Sequence, residues 1–231
     1  MTDTVTPEAA LAALRAAGDP ERAPGMAAYH KAGRVYYGTA LPEVNALVKS
    51  WRAALSSEER LPLADALWQS DVHEARIAAA KLLTQARIRP PEAEQATWQM
   101  IETWVPQFDG WAIADHACSA GGRRVMADLS RLDAIEAWIA SDHLWTKRAA
   151  FVITLPLAHL NFPSPDQLAA RERVLGWAAT STMDRQRFIQ KAMAWWLRDL
   201  SKHDAARVRA FLSAHGETMK GFARKEAAKY L

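Results

Sequence analysis

The chain has 231 residues, of which 50% are apolar, so it can bury the core of one large domain or two small ones. Its one cysteine, Cys118, excludes an internal disulfide and a metal site built from several cysteines, and it fits a reducing, cytoplasmic compartment best. We expect no signal peptide between Met1 and Ala10, which carries acids and no apolar run, and no run of the roughly 20 apolar residues that cross a bilayer.

Charge is distributed unevenly along the chain. Residues 141–231 hold 15 Lys and Arg against 8 Asp and Glu, a net charge of +7. Residues 1–140 hold 14 against 18, a net charge of −4. A basic C-terminal part indicates an anionic partner, most commonly nucleic acid. The alternative is a mildly basic, solvated surface.

The pattern of apolar residues predicts a run of helices with short breaks and no strands. The predicted helices cover residues 7–17, 20–31, 41–54, 56–69, 71–87, 92–105, 110–120, 127–140, 144–160, 164–179, 183–200, 204–214 and 220–231. Thr6, Ser56 and Asp71 are expected as N-caps. Residues 33–40 are expected to form a loop, and Pro90 with Pro91 to end a helix.

About a dozen helices with short connections favour helix pairs that stack in series, because a single pair cannot bury its apolar face alone. We therefore predict one all-α domain over residues 1–231, an α-solenoid of stacked helical repeats. No strict sequence period runs through the pairs, so an irregular compact helical bundle is the alternative.

A basic face is predicted for the helix between Met183 and Lys202. At about 100° per residue, four cations and one tryptophan fall within an arc of about 80°. They are Arg187, Lys191, Trp195, Arg198 and Lys202. Like charges one turn apart repel each other, so this stripe favours a helix that binds DNA phosphates. The alternative is a solvated basic face with Trp195 partly packed and Trp196 buried.

Trp111 and Asp115 are four residues apart, so on a helix they share one face. An aromatic ring attracts a cation, and a nearby carboxylate stabilises positive charge. Such a pair suits depurination, in which the sugar becomes oxocarbenium-like while a cationic base leaves. The alternative is a core tryptophan and a locally paired aspartate.

Trp145 and Arg148 also share a helical face, and Arg148 has the geometry to bind a phosphate with two hydrogen bonds. Pairing of Arg148 with an acidic neighbour is the alternative. The seven histidines show no H-x-x-x-H or Cys/His spacing, so we expect no metal.

Three segments of the chain together resemble the AlkD family of alkylpurine DNA glycosylases, which are built from HEAT-like repeats. They are residues 25–29 (GMAAY), 144–150 (LWTKRAA) and 188–198 (FIQKAMAWWLR), with 224–227 (RKEA) in addition. The resemblance covers nearly the whole chain, from about Ala23 onwards. It implies a solenoid with a concave basic cleft.

The resemblance also implies a role for each matching residue. Trp111 and Trp195 match the aromatic residues that flank the lesion nucleotide, and Asp115 matches the catalytic carboxylate. Arg148 matches an arginine that contacts the DNA backbone, and Tyr29 a tyrosine of the same cleft. Ala112 stands where the family typically has a second aspartate.

The activity implied by the resemblance is hydrolysis of the N-glycosidic bond of cationic alkylated purines, such as 3-methyladenine and 7-methylguanine, in duplex DNA. This is base excision repair without drawing the base into a pocket, without a metal or cofactor, by a cytoplasmic bacterial monomer that joins the nucleoid on DNA. The first alternative is a non-catalytic relative that binds distorted or branched DNA. The second is a helical adaptor for protein partners, against which the uneven charge argues.

Overall fold

The structure, a computed structural model that describes residues 5–231, is all-α. Within that range it contains fourteen α-helices and two 3-10 helices, and its only β-type pairing is an isolated bridge between Val35 and Val72. The all-helical prediction is confirmed. None of the described helices combines the length and the apolar character needed to cross a membrane.

The chain divides into two compact units, residues 1–124 and 125–231. The first unit holds α1 (Pro7–Ala16), α2 (Ala23–His30), α3 (Leu41–Ala54), α4 (Ser57–Gln69), α5 (His73–Leu82), α6 (Pro91–Trp104), a 3-10 turn (Val105–Gln107) and most of α7 (Trp111–Ala127). The second holds a 3-10 turn (Leu129–Arg131), α8 (Leu132–Ile139), α9 (Leu144–Ile153), α10 (Leu155–Ala158), α11 (Pro165–Ser181), α12 (Arg187–Ser201), α13 (Ala205–His215) and α14 (Gly221–Ala227).

Two of the three predicted N-caps are confirmed. The Thr6 hydroxyl accepts a hydrogen bond from the backbone N–H of Ala9 at 3.2 Å. Ser56 and Glu59 bond each other reciprocally in a capping box at the start of α4. Each side chain satisfies backbone N–H groups that have no partner inside the helix.

The predicted cap at Asp71 is wrong. Val72 is the N-cap of α5, and the Asp71 carboxylate lies 3.1 Å from Arg34 Nη1 instead. The helix also ends at Leu82 and not near Arg87. A long-range ion pair has therefore replaced the local cap that the sequence suggested.

The remaining differences concern helix ends. The predicted helix 144–160 is two helices, because Pro156 cannot donate to a preceding carbonyl and α9 stops at Ile153. The predicted helix 110–120 continues to Ala127, so its two glycines at 121 and 122 do not stop it. The helices predicted at 20–31, 127–140 and 183–200 begin later, at Ala23, Leu132 and Arg187.

The predicted loop at residues 33–40 is confirmed, and Glu74 of α5 holds it. The buried Oε1 of Glu74 accepts hydrogen bonds from the backbone N–H groups of Tyr37 at 3.1 Å, Gly38 at 2.8 Å and Thr39 at 3.2 Å. Gly38 has a φ of 77°, and an added Cβ would lie 1.9 Å from the carbonyl oxygen of Asp19. The loop therefore needs both the carboxylate and the glycine.

In the second unit, α12 is the central helix. Trp196 is fully buried, as predicted, and its indole N–H donates to the carbonyl of Thr154 at 3.2 Å. The buried amide of Gln190 donates to the carbonyl of Thr182 at 2.9 Å and accepts from the N–H of Lys220 at 3.0 Å. These bonds hold the first turn and the middle of α12 against its neighbours.

We predict that Glu74→Gln lowers the free energy of unfolding by about 1–2 kcal/mol, since a neutral amide replaces a charged acceptor of three hydrogen bonds. Urea denaturation at pH 7 measures the change. Glu43→Gln, at an exposed position of α3, is the control and should change little. Equal stabilities of the two variants would contradict this account of the loop.

Candidate functional site

Trp111 and Asp115 lie one turn apart at the start of α7. Both side chains are partly exposed, whereas the three residues between them, Ala112, Ile113 and Ala114, are buried. The tryptophan and the carboxylate therefore share the face of α7 that solvent reaches, as the four-residue spacing predicts.

The Trp111 ring lies in an aromatic group contributed by three different segments. Tyr29, at 69% exposure, meets the Trp111 ring edge-on, with centroids 5.7 Å apart and planes at 87°. The His30 imidazole lies 5.3 Å from the Trp111 centroid. The structure thus brings Tyr29 together with Trp111, two residues that the sequence placed in one site.

Arg34 connects the loop at residues 33–40 to the start of α7. Its Nε lies 2.6 Å from a carboxylate oxygen of Asp109, and its Nη1 lies 3.1 Å from Asp71. The Arg34 side chain is only 8% exposed, and its partner Asp109 is 35% exposed, so solvent weakens this ion pair less than the pair with Asp71, which is 69% exposed. Because Asp109 immediately precedes Gly110 and α7, the ion pair fixes where Trp111 begins its helix.

The imidazoles of His30 and His73 pack together on one side of the Trp111 ring. His30 and His73 have ring centroids 4.4 Å apart, and Tyr36 stacks against His73 at 4.7 Å. Burial lowers the pKa of His30, and lowers that of His73 to about 3, with the neighbouring His30 and Arg34 acting in the same direction. His73 is therefore neutral at physiological pH, and the lowered pKa of His30 favours its neutral form as well.

In the second unit, Trp195 is partly exposed and is held by Asp199. The Trp195 indole N–H donates to Asp199 Oδ2 at 2.8 Å, and His159 Nε2 lies 3.0 Å from the same oxygen. Burial acts to raise the pKa of Asp199, but hydrogen bonds from His159 and Arg198 outweigh it and hold the pKa below the ordinary value. An ionised Asp199 therefore orients the Trp195 ring.

The basic face of α12 divides into two parts. Arg187 and Lys191 are exposed at its N-terminal end. At the other end Arg198 pairs with Asp199 and Glu226, and the Lys202 amine lies 3.3 Å from Asp199. Two of the four predicted cations are thus neutralised by carboxylates.

Arg148 is 5% exposed on α9 and bonds to the start of α12. Its Nη1 donates to the carbonyl of Phe188 at 3.2 Å. The Trp145 ring packs on the Phe188 ring with centroids 4.9 Å apart. Arg148 therefore anchors the first turn of the helix that carries Lys191 and Trp195.

The described residues include no group of three or more His, Cys, Asp or Glu side chains arranged to hold a metal ion. They do offer two sets of aromatic and charged residues. One set, around Trp111 and Asp115, lies in the first unit, and the other, around Trp195 and Lys191, lies in the second.

Comparison with known families now identifies the chain. The model of a family described as DNA alkylation repair enzyme matches residues 10–231. The chain belongs to the DNA alkylation repair enzyme family. The resemblance noted from the sequence is confirmed, and with it a role in the repair of alkylated DNA.

Several solved structures share the fold of this chain. A predicted DNA alkylation repair enzyme from Enterococcus faecalis superposes with a TM-score of 0.73 at 26% identity, over 93% of this chain and 96% of that one. The protein smu.31 from Streptococcus mutans UA159 gives 0.61 at 20% identity, over 83% and 92%. AlkD2 from Streptococcus mutans gives 0.59 at 19% identity, over 83% and 90%. A comparison with curated protein sequences finds no match.

Sequence reasoning missed part of this repair enzyme's candidate site. His30 and His73 lie on different helices and are 43 residues apart in the sequence, so no local spacing links them. Asp199 directly follows Arg198 in the sequence, and its position four residues after Trp195 is the same spacing that drew attention to Trp111 and Asp115. The pair of Trp195 and Asp199 was therefore detectable from the sequence.

We predict that His73→Phe makes the protein less sensitive to acid. His73 has a folded pKa near 3, below its unfolded value, so the unfolded state binds the proton first and stability falls as pH drops from 6.5 towards 3. Protonation of His73 in the unfolded state therefore lowers the free energy of unfolding of the wild type by roughly 4 kcal/mol over this pH range, and the variant lacks this loss. Urea denaturation at several pH values measures it.

The control for that experiment is His143→Gln, at an exposed position before α9. It should leave the pH dependence of the wild type unchanged. A His73→Phe curve parallel to the wild-type curve would contradict the assignment of a neutral His73.

We predict that Asp199→Asn lowers the free energy of unfolding at pH 7 by about 1.5–3 kcal/mol, because a buried charged acceptor is lost. The folded pKa of Asp199 lies below 3.8, so its contribution is present above that pH and is lost as pH falls through the folded value. The difference in the free energy of unfolding between wild type and variant should therefore become smaller in acid. Tryptophan-detected urea unfolding measures the difference, and a difference of constant size would refute this.

Proposed function

We propose that the chain is a monofunctional DNA glycosylase that hydrolyses the N-glycosidic bond of cationic alkylated purines in duplex DNA. The observation that carries this proposal is the pairing of Trp111 and Asp115 on the accessible face of α7, with Tyr29 edge-on to the indole. The alkylated bases expected are 3-methyladenine and 7-methylguanine.

The chemistry follows from charge. An alkylated purine is positive before it leaves, and the sugar becomes oxocarbenium-like as the bond stretches. The Trp111 ring attracts a cation through its face, and the Asp115 carboxylate stabilises positive charge that grows towards the transition state. Water then adds at the anomeric carbon, its proton passes to Asp115 or solvent, and the base leaves with the bonding electrons as a neutral purine.

Neutral imidazoles beside Trp111 support this assignment. The His30 ring centroid lies 5.3 Å from that of Trp111, and the His73 ring centroid lies 4.4 Å from that of His30. A protonated imidazole here would repel a cationic base by direct Coulomb interaction. The lowered pKa values of both groups favour the neutral form at neutral pH.

The second unit supplies the other proposed DNA contacts. Trp195, oriented by Asp199, is the second aromatic residue at the lesion, and Arg148 contacts the backbone near it. The exposed Arg187 and Lys191 are the main phosphate contacts of α12. Arg198 and Lys202 share their charge with carboxylates, so we assign them weaker phosphate contacts.

We further propose that the protein acts as a monomer on duplex DNA in the bacterial cytoplasm, with no metal or cofactor. Lys191 is not proposed as a Schiff-base nucleophile, because its side chain is exposed and lacks the desolvated, apolar surroundings that activate such a lysine.

We predict that Asp115→Asn slows base release by at least about 100-fold, the cost of removing one transition-state stabilising group. The measurement is single-turnover release of 7-methylguanine from methylated duplex DNA, with strand cutting at the abasic site as a parallel readout. The strand should stay intact. Asp166→Asn, at an exposed position in the first turn of α11, is the matched control and should keep the wild-type rate.

Binding of unmodified duplex DNA by Asp115→Asn should stay close to that of the wild type. If the wild type binds DNA but frees no alkylated base, the glycosylase assignment fails, and a non-catalytic protein that binds distorted or branched DNA takes its place. If Asp115→Asn releases base at the wild-type rate, the role of this carboxylate fails alone.

A further inference from the structure

A cavity of about 500 Å³ lies within the first unit, between α3, α5 and α7. Four cationic side chains line it: Lys49, Arg52, Arg60 and Lys81. Four uncharged polar residues also line it: Asn45, Thr84, and His116 and Ser119 of α7. Among the described residues, none of those that line this cavity is an aspartate or a glutamate. We call it the α3–α5–α7 cleft.

One of the four cations has a structural role. The Arg60 guanidinium donates to the carbonyl of Arg52 at 2.6 Å and to that of Leu55 at 2.9 Å. It therefore caps the C-terminal end of α3, whose carbonyls have no partner inside the helix. Lys49, Arg52 and Lys81 form no ion pair within the part of the chain that the structure describes.

The three remaining cations converge on the cleft from two helices. Lys49 and Arg52 are three residues apart, so they share one face of α3. Lys81 lies at the end of α5, where burial lowers its pKa. Burial and the charge of Lys81 lower the pKa of His116 to about 4, so the two groups are close together and the imidazole is neutral. Arg52 and Lys81 are partly buried, and neither forms an ion pair with a described residue. Partial burial of an unpaired cation is costly, and an anion would offset that cost.

The cleft also has a fixed relation to the proposed catalytic pair. Trp111, Asp115 and Ser119 recur every four residues on one face of α7. Ser119 is thus about 6 Å along the helix axis from Asp115, a distance spanned by about two nucleotide steps of a DNA strand. Sequence analysis placed the anion-binding residues only in the basic C-terminal part of the chain.

We propose that the α3–α5–α7 cleft binds backbone phosphates of the DNA, within a few nucleotides of the base that Asp115 addresses. Lys49, Arg52 and Lys81 neutralise the phosphates, and the neutral His116 and Ser119 contribute polar hydrogen-bonding groups. The identity of the ligand rests on the proposed function. The cleft acts on binding and does not touch the reacting atoms.

The test is the salt dependence of binding to an unmodified duplex, measured by fluorescence anisotropy between about 50 and 200 mM salt. The double variant Lys49→Gln/Arg52→Gln should bind about tenfold more weakly at the lower salt, and its log–log salt slope should be shallower by about 2, since each lost phosphate contact changes it by about 0.9. Arg209→Gln, at an exposed position of α13, is the control and should keep the wild-type slope.

Circular dichroism and thermal unfolding establish whether each variant folds. If the double variant does not fold, Lys81→Gln provides the same test with a slope about 1 unit shallower. The effect of each variant should appear as a weaker affinity for DNA and a shallower salt slope.

The inference would be overturned if folded variants of the α3–α5–α7 cleft bound DNA with the same salt slope as the wild type. It would also be overturned if inorganic phosphate or a mononucleotide bound the wild type and not the variants while DNA binding stayed equal, because the cleft would then serve a free anion. The wild type could free no alkylated base while the salt slope of DNA binding is still shallower in the cleft variants. That result would refute the proposed glycosylase activity and would support the cleft as a DNA contact.

Discussion

The guanidinium of Arg34 lies 2.6 Å from Asp109, directly before the helix that carries Trp111 and Asp115. This ion pair connects the loop at residues 33–40, itself held by Glu74, to the first turn of α7. The packing of the aromatic group around Trp111 depends on that connection, because Tyr36 belongs to the loop and the other rings belong to separate helices. A helix alone would place the tryptophan and the carboxylate on one face, but it would not supply their surroundings.

In the first unit, the surroundings of Trp111 and the cluster of unpaired cations lie in different places. Around Trp111 burial lowers the pKa values of His30 and His73, and nearby Arg34 is paired with carboxylates. One turn beyond Asp115, the α3–α5–α7 cleft gathers cations without acids. A cationic base and an anionic backbone are neighbours in alkylated DNA, so a protein that handles both needs this separation. The same logic holds in the second unit, where the exposed Arg187 and Lys191 lie apart from the Asp199 network.

Local patterns in the sequence predicted what depends on local spacing. The all-α class, the N-caps at Thr6 and Ser56, the burial of Trp196 and the shared face of Trp111 and Asp115 all follow from helical periodicity and capping chemistry. What the sequence could not predict depends on long-range pairing. Asp71 binds Arg34 instead of capping α5, and the net negative charge of residues 1–140 conceals a basic cleft because no aspartate or glutamate is among the described residues that line it.

The central claim is that Asp115 stabilises positive charge on the sugar at the transition state. Its most direct test is the affinity for a duplex in which one sugar is a cationic pyrrolidine, compared with a duplex carrying a neutral tetrahydrofuran at that position. The account predicts that the wild type prefers the cationic duplex by at least about tenfold, or about 1.4 kcal/mol, and that Asp115→Asn loses the preference. Equal affinity of the wild type for the two duplexes would contradict it.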